Sequence, residues 1–198
     1  MAVVSRKAEQ SEATQRALIK VARRLFAKRG YAATPIEEIV RGARVTRGAL
    51  YHHFEGKQDL FRAVFEEMEG ELSQEVAQAA MREERPELHL EIGVQAMLDA
   101  CLDPAVQRIV LLDAPSVLGW QTWHEIEQAH SLGLITHAIE TAMDAGYIER
   151  QPVAPLAQLV FGALTEAALS LARAKDIEAA RKEIGVSVAR LLDGLKPR

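Results

Sequence analysis

When residues 46–53 are set on a helical wheel at about 100° per residue, Arg47, Gly48, Tyr51 and His52 share one side, and Ala49, Leu50 and His53 the other. The first side combines a guanidinium, a phenol and an imidazole with a glycine that lets another surface come close. Flat donors and acceptors of this kind match the base edges and phosphates of a DNA groove.

A helix this short buries little apolar surface, so other elements must hold it in place. The stretch TPIEEIVRGARVTRGALYHHF, residues 34–54, reads as a helix, a tight turn and a second short helix. Thr34 is the expected N-cap, with Pro35 in the first helical position, Glu37 completing a capping box, and Ile36, Ile39 and Val40 facing inward. A preceding helix is expected over 11–29, with Ala17, Leu18, Val21, Leu25 and Phe26 on one face and Gly30 ending it. Residues 1–10 lack periodicity and read as an arm. Thr46 caps the reading helix, and Gly56 opens a long helix over 57–85 whose Leu60, Val64, Met68, Leu72 and Val76 extend an apolar stripe.

Beyond Pro86, helices are expected over 87–102, 103–113, 120–145, 155–175 and 176–195, with Pro115 and Gly119 marking a bend. No strand-like alternation competes, so the expected fold class is all-α with about nine helices. The expected domains are a three-helix helix-turn-helix unit over 11–65 and a second helical domain over 66–198.

In 198 residues, 48% hydrophobic content supports a substantial core. The net charge of -4 conceals a split: residues 1–65 hold 13 basic and 6 acidic residues, net +7, and the remainder 11 basic and 22 acidic, net -11. Different partners for the two parts are expected, the basic part suiting phosphate. Apolar runs are short and MAVVSRKAEQ carries no apolar segment ahead of a small-residue cleavage site, so no membrane span and a cytoplasmic location are expected. The single Cys101 excludes an intrachain disulfide and a cysteine-cluster zinc site.

The segments GYAATPIEEI, ARVTRGALYHHF and GKQDLF together closely resemble the N-terminal DNA-binding domain of the TetR family of bacterial transcriptional regulators. The resemblance implies a homodimer that binds double-stranded operator DNA, expected to be palindromic, and represses until a small-molecule effector binds its C-terminal helices. Carried to this chain, it implies Thr46, Arg47, Tyr51 and His52 as main DNA contacts beside Gly48, with Thr34 and Lys57 on phosphates. Arg47 suits guanine, because its planar fork donates to two acceptors, worth about 1 to 3 kcal/mol of discrimination. Tyr51 suits a phosphate or a thymine methyl. His53 stays open between the inward side of the wheel and a phosphate contact. Arg44 stands where the family usually has a glycine in left-handed backbone, a conformation costing a non-glycine residue roughly 1 kcal/mol. Either the turn uses Gly42 instead, or Arg44 accepts the strain and adds a phosphate contact.

In the C-terminal part, Ala163, Ala167 and Leu171 on one helix and Ile184, Val188, Leu191 and Leu195 on the next suit a dimer interface, or else complete a monomer's core. Met97, Cys101, Trp120, Trp123, His124, His137, Met143 and Phe161 are candidates for an effector pocket. An enzyme or metal-binding protein using His124, His130 and His137 is the alternative reading, although a zinc-protease spacing would need a histidine where Gln128 stands. With no nucleophile elbow, phosphate-binding glycine loop or paired-carboxylate motif, no catalysis, cofactor or metal is expected.

Overall fold

The computed structural model describes residues 6–197, and no strand occurs among them. The chain opens with α1 (Arg6–Arg29), α2 (Ile36–Ala43), α3 (Arg47–His53) and the long α4 (Lys57–Met81). A 3₁₀ turn, Pro86–Leu88, leads into α5 (His89–Ala100). A π-helical segment, Val106–Asp113, runs directly into α6 (Ala114–Leu118), and α7 (Trp120–Asp144), α8 (Val153–Arg173) and α9 (Ile177–Asp193) follow.

The N-terminal core is built around three rings. Phe26, Tyr31 and Phe61 pack against one another with centroids 5.2 to 5.8 Å apart, joined by fully buried Leu18, Ile39, Leu50 and Leu60. In α3 only Leu50 is buried, and so short a helix is not stable alone. Burying that leucine contributes about 1.5 to 3 kcal/mol and is what docks α3. In the body of the molecule Leu98, Ile109, Trp123, Ile139 and Leu171 are fully buried, and the Trp123 indole N–H donates to the Val110 carbonyl at 3.1 Å.

Several expectations are corrected. Of the expected arm, residues 1–5 lie outside the described residues, and α1 already runs from Arg6. Ala8, Glu9 and Gln10 are exposed, but these residues favour helix and extend it without a core. Thr34 forms no capping box: the N-cap of α2 is Pro35, with no side-chain cap bond. Thr34 is 1% exposed, and its hydroxyl donates to the Gly30 carbonyl at 2.8 Å, closing the end of α1 instead. α4 stops at Met81, because the exposed polar residues beyond it have nothing apolar to pack. Pro115 lies within the first turn of α6 rather than at a bend. Proline has no N–H for a regular ladder, and the helix before it is widened to π geometry.

α8 is the one helix among the described residues long and apolar enough to cross a membrane by length and composition. Its Leu156, Val160, Phe161, Leu164 and Leu171 are buried in the core, a setting that selects the same composition. Three residues expected in a dimer interface, Ala167, Leu171 and Val188, are likewise closed off inside this chain, at 8%, 0% and 6% exposure. Ile184 and Leu195 are half-buried, whereas Ala163 and Leu191 are exposed beside Leu159, Gly162 and Val186.

Candidate nucleic-acid interface and the cavity behind it

Thr46 caps α3: its hydroxyl oxygen accepts the Ala49 N–H at 3.1 Å. That cap fixes the start of the helix and points Arg47, Gly48, Tyr51 and His52 outward, all of them exposed. The Arg47 guanidinium donates to Glu37 Oε1 at 3.0 Å and to the Tyr51 hydroxyl at 3.4 Å, and lies 5.6 Å from the centre of the Tyr51 ring. A side chain at Gly48 would meet only the Thr46 hydroxyl, at 3.8 Å, so the fold itself leaves this surface open. His53 is half-buried, against His52 and Phe54.

The turn takes the second of the two geometries left open. Arg44, at φ 57° and ψ 39°, is the only non-glycine residue with positive φ among the described residues. Gly42 lies inside α2 facing Val21 and does not make the turn. The Arg44 side chain is exposed on the same end of the molecule as α3.

Both residues that the resemblance places on phosphates have partners within the protein. Thr34 is buried, with its hydroxyl committed to Gly30. The Lys57 ammonium donates to the Tyr31 and Thr34 carbonyls at 2.9 and 3.0 Å, and sits 4.2 Å from the centre of the Tyr31 ring. Burial lowers its pKa. It ties the loop between α1 and α2 to the start of α4, leaving one of its three N–H donors for another partner.

About 18 Å further along α4, at the rise of a regular helix, Glu69 enters a cavity of about 320 Å³ bounded by α4, α5, the π segment, α7 and α8. Met97, Cys101, His137 and Phe161 line it, as expected, but Trp120, Trp123, His124 and Met143 do not. Trp123 and Met143 are core residues. Trp120 is 57% exposed and stacks on His124 with ring centroids 5.7 Å apart, outside the cavity. His124, His130 and His137 therefore do not converge there: only His137 lines the cavity. No group of three or more His, Cys, Asp or Glu able to hold a metal occurs among the described residues.

Sequence reasoning missed the two acids of this cavity, Glu69 from α4 and Glu127 from α7. They are 3% and 9% exposed. Burial pushes the Glu69 carboxyl up to about 7, and burial together with the charge of Glu69 pushes Glu127 up to about 9. The Cys101 thiol is pushed up to about 12 by burial and then by both acids, so it stays protonated and unreactive. The available signal was spacing, since Glu69 follows Phe65 by one helical turn and Glu127 follows Trp123 by one, putting both on inward faces.

The π segment joins the two regions. Its Val106, Val110 and Leu111 line the cavity, while at its end the Asp113 carboxylate accepts the Tyr31 backbone N–H at 2.7 Å. Arg108 reaches the same carboxylate at 3.5 Å and lies against Gly30, whose φ of 79° and missing side chain leave it room. Gln58, at the start of α4, donates to the Val117 carbonyl in α6 at 2.6 Å.

Residues 18–64 match the family profile described as bacterial regulatory proteins, tetR family, and residues 88–195 match the tetracyclin repressor-like C-terminal domain. A crystal structure of a TetR-family transcriptional regulator from Pectobacterium atrosepticum is 33% identical, with a TM-score of 0.86 over 98% of this chain and 100% of that one. The chain belongs to the TetR family. Among curated relatives, the HTH-type transcriptional regulator AcrR of Shigella flexneri is 38% identical over 66 residues, 33% of this chain and 31% of that protein. The HTH-type transcriptional repressor BepR of Brucella suis is 34% identical over 105 residues, 52% of this chain and 50% of that protein. The matches thus span from about a third to half the length of these two relatives.

Proposed function

We propose that this chain is a dimeric, sequence-specific DNA-binding transcriptional regulator of the cytoplasm, a repressor released by a small-molecule effector. Residues 11–65 act as its DNA-binding domain and 66–198 as its effector-binding and dimerisation domain. The observation that carries this reading is the connection of an exposed reading face, Arg47, Tyr51 and His52, to the cavity through α4 and the π segment. A ligand that changes the packing of Val106, Val110 and Leu111 acts on the same helix that holds Tyr31. It shifts the balance of states only as far as its affinity differs between them. The exposed apolar face of Leu159, Gly162, Ala163, Val186 and Leu191 supports a two-fold dimer, and two reading helices then address a palindrome whose half-sites lie about 34 to 36 Å apart.

The test is selection of bound duplexes from random sequence, with sedimentation of the free protein. A palindromic enriched motif and a dimer that Leu191→Glu disperses are expected. A monomer, or a bound pool without enrichment, sinks the proposal.

A further inference from the structure

Except for Glu69 and Glu127, the cavity wall offers few polar groups, and its lining holds no lysine or arginine among the described residues. Oε1 of Glu69 and Oε2 of Glu127 are buried without a hydrogen-bond partner. Of the two histidines in the lining, His89 is engaged through Nε2 with the Glu83 carbonyl at 3.0 Å. The nearby cation Arg181 is bound to Asp99 at 2.8 Å. Two helices thus deliver carboxyls to one cavity, and among the described residues neither carboxyl forms an ion pair with His89, with His137, which also lines it, or with Arg181. A buried carboxylate is stabilised either by taking up a proton or by a cation brought to it.

Building on the effector-cavity reading above, we propose that the ligand is an amphipathic organic cation, a protonated amine on an apolar body, whose ammonium sits between Glu69 and Glu127. The ammonium N–H donors match the two unpartnered oxygens, and charge-assisted bonds of this kind are the strong ones. Val94, Leu134, Ile135 and Phe161 offer the body an apolar wall. A ligand bearing a carboxylate brings no cation to the pair, and a neutral one leaves the two carboxyls to hold their protons, so neither draws the stabilisation that an ammonium would. Because burial holds both carboxyls in their protonated form to higher pH than usual, an arriving ammonium expels protons from them. Proton release is therefore part of the binding signature.

Calorimetric titration of the full chain at neutral pH with decylamine, decanol and decanoate separates the headgroup from a shared tail. Decylamine is expected to bind about tenfold or more tighter than decanol, with a heat that varies with the buffer's ionisation enthalpy as released protons are taken up. In the Glu69→Gln/Glu127→Gln double variant this preference and the proton release disappear while decanol binding persists; the single variants, and the wild-type headgroup comparison itself, decide the matter if the double variant does not fold. Equal binding of amine and alcohol, tighter binding of decanoate, no binding of any of the three, or a preference that survives both substitutions overturns the proposal. A parallel mobility assay on the selected duplex separates the two readings. Selective DNA binding without amine preference refutes the ligand class alone, whereas failure to select any duplex refutes the regulator reading and leaves the calorimetry to judge the cavity.

Discussion

The two polar regions of this molecule treat charge in opposite ways. Around α3, Arg47 and Glu37 are each 62% exposed and neutralise one another in water. In the cavity, Glu69 and Glu127 are buried, unpartnered and shifted toward their neutral forms. Charge in water is cheap to keep and to exchange for phosphate. Desolvated charge is costly, and it makes the cavity selective about its occupant. On the proposed reading, one end exchanges partners and the other waits for one.

The largest expected effect lies at the cavity end. A carboxyl whose pKa is raised on folding binds more protons in the native than in the unfolded state, so its stabilisation is complete below the ordinary value of 4.5 and is lost as pH rises. Stability is therefore expected to fall between about pH 5 and about pH 9, by on the order of a few kcal/mol. Urea denaturation across that range measures the fall. His89, His137 and Cys101 line the same cavity, and Arg181 acts on Cys101, in wild type and variant alike, so the flatter profile expected of Glu69→Gln/Glu127→Gln isolates the carboxyls. An unchanged slope in the variant would erase the contrast between the two regions.

At the reading end, Arg47→Ala is expected to remove roughly 1 to 3 kcal/mol of discrimination between the selected duplex and its scrambled counterpart. Equal losses on both duplexes in an equilibrium binding assay would make Arg47 a phosphate contact. Lys57→Ala tests a residue shared between structure and binding. It should lower unfolding free energy by about 1 to 2 kcal/mol through the lost bonds to Tyr31 and Thr34, and unchanged stability would return Lys57 to the role of a simple phosphate ligand. Arg44→Gly is the smallest: relief of the left-handed backbone is expected to raise stability by up to about 1 kcal/mol, checked by thermal unfolding. A rise accompanied by weaker DNA binding and a shallower salt dependence would identify Arg44 as a phosphate contact.

What could be read in the sequence was what depends on neighbours in the chain. The Thr46 cap, the outward face of Arg47 and Tyr51 and the inward Leu50 follow from spacing within a few residues. Thr34 was misread because a threonine before a proline can cap the next helix or close the previous one, and the choice lies in the position of the Gly30 carbonyl. Glu69 and Glu127 are visible singly as acids on apolar stripes, but their meeting is set by how α4 packs beside α7. The same limit applies to α8 and α9. Periodicity marks Ala167, Leu171 and Val188 as apolar without saying that the chain's own helices cover them while Leu159 and Leu191 stay bare.

The contacts that hold Arg47 in the free protein have a consequence for the DNA contact proposed for it. Arginine is among the side chains with most rotamer freedom to lose, up to about 2 kcal/mol when it is fixed in place. Here Glu37 and Tyr51 already restrict it, so part of that ordering has taken place on folding. On the proposed reading, an arriving base edge meets a guanidinium that exchanges one acceptor for another from a narrowed set of orientations, and the entropy of recognition falls on the duplex and its released ions rather than on the reader.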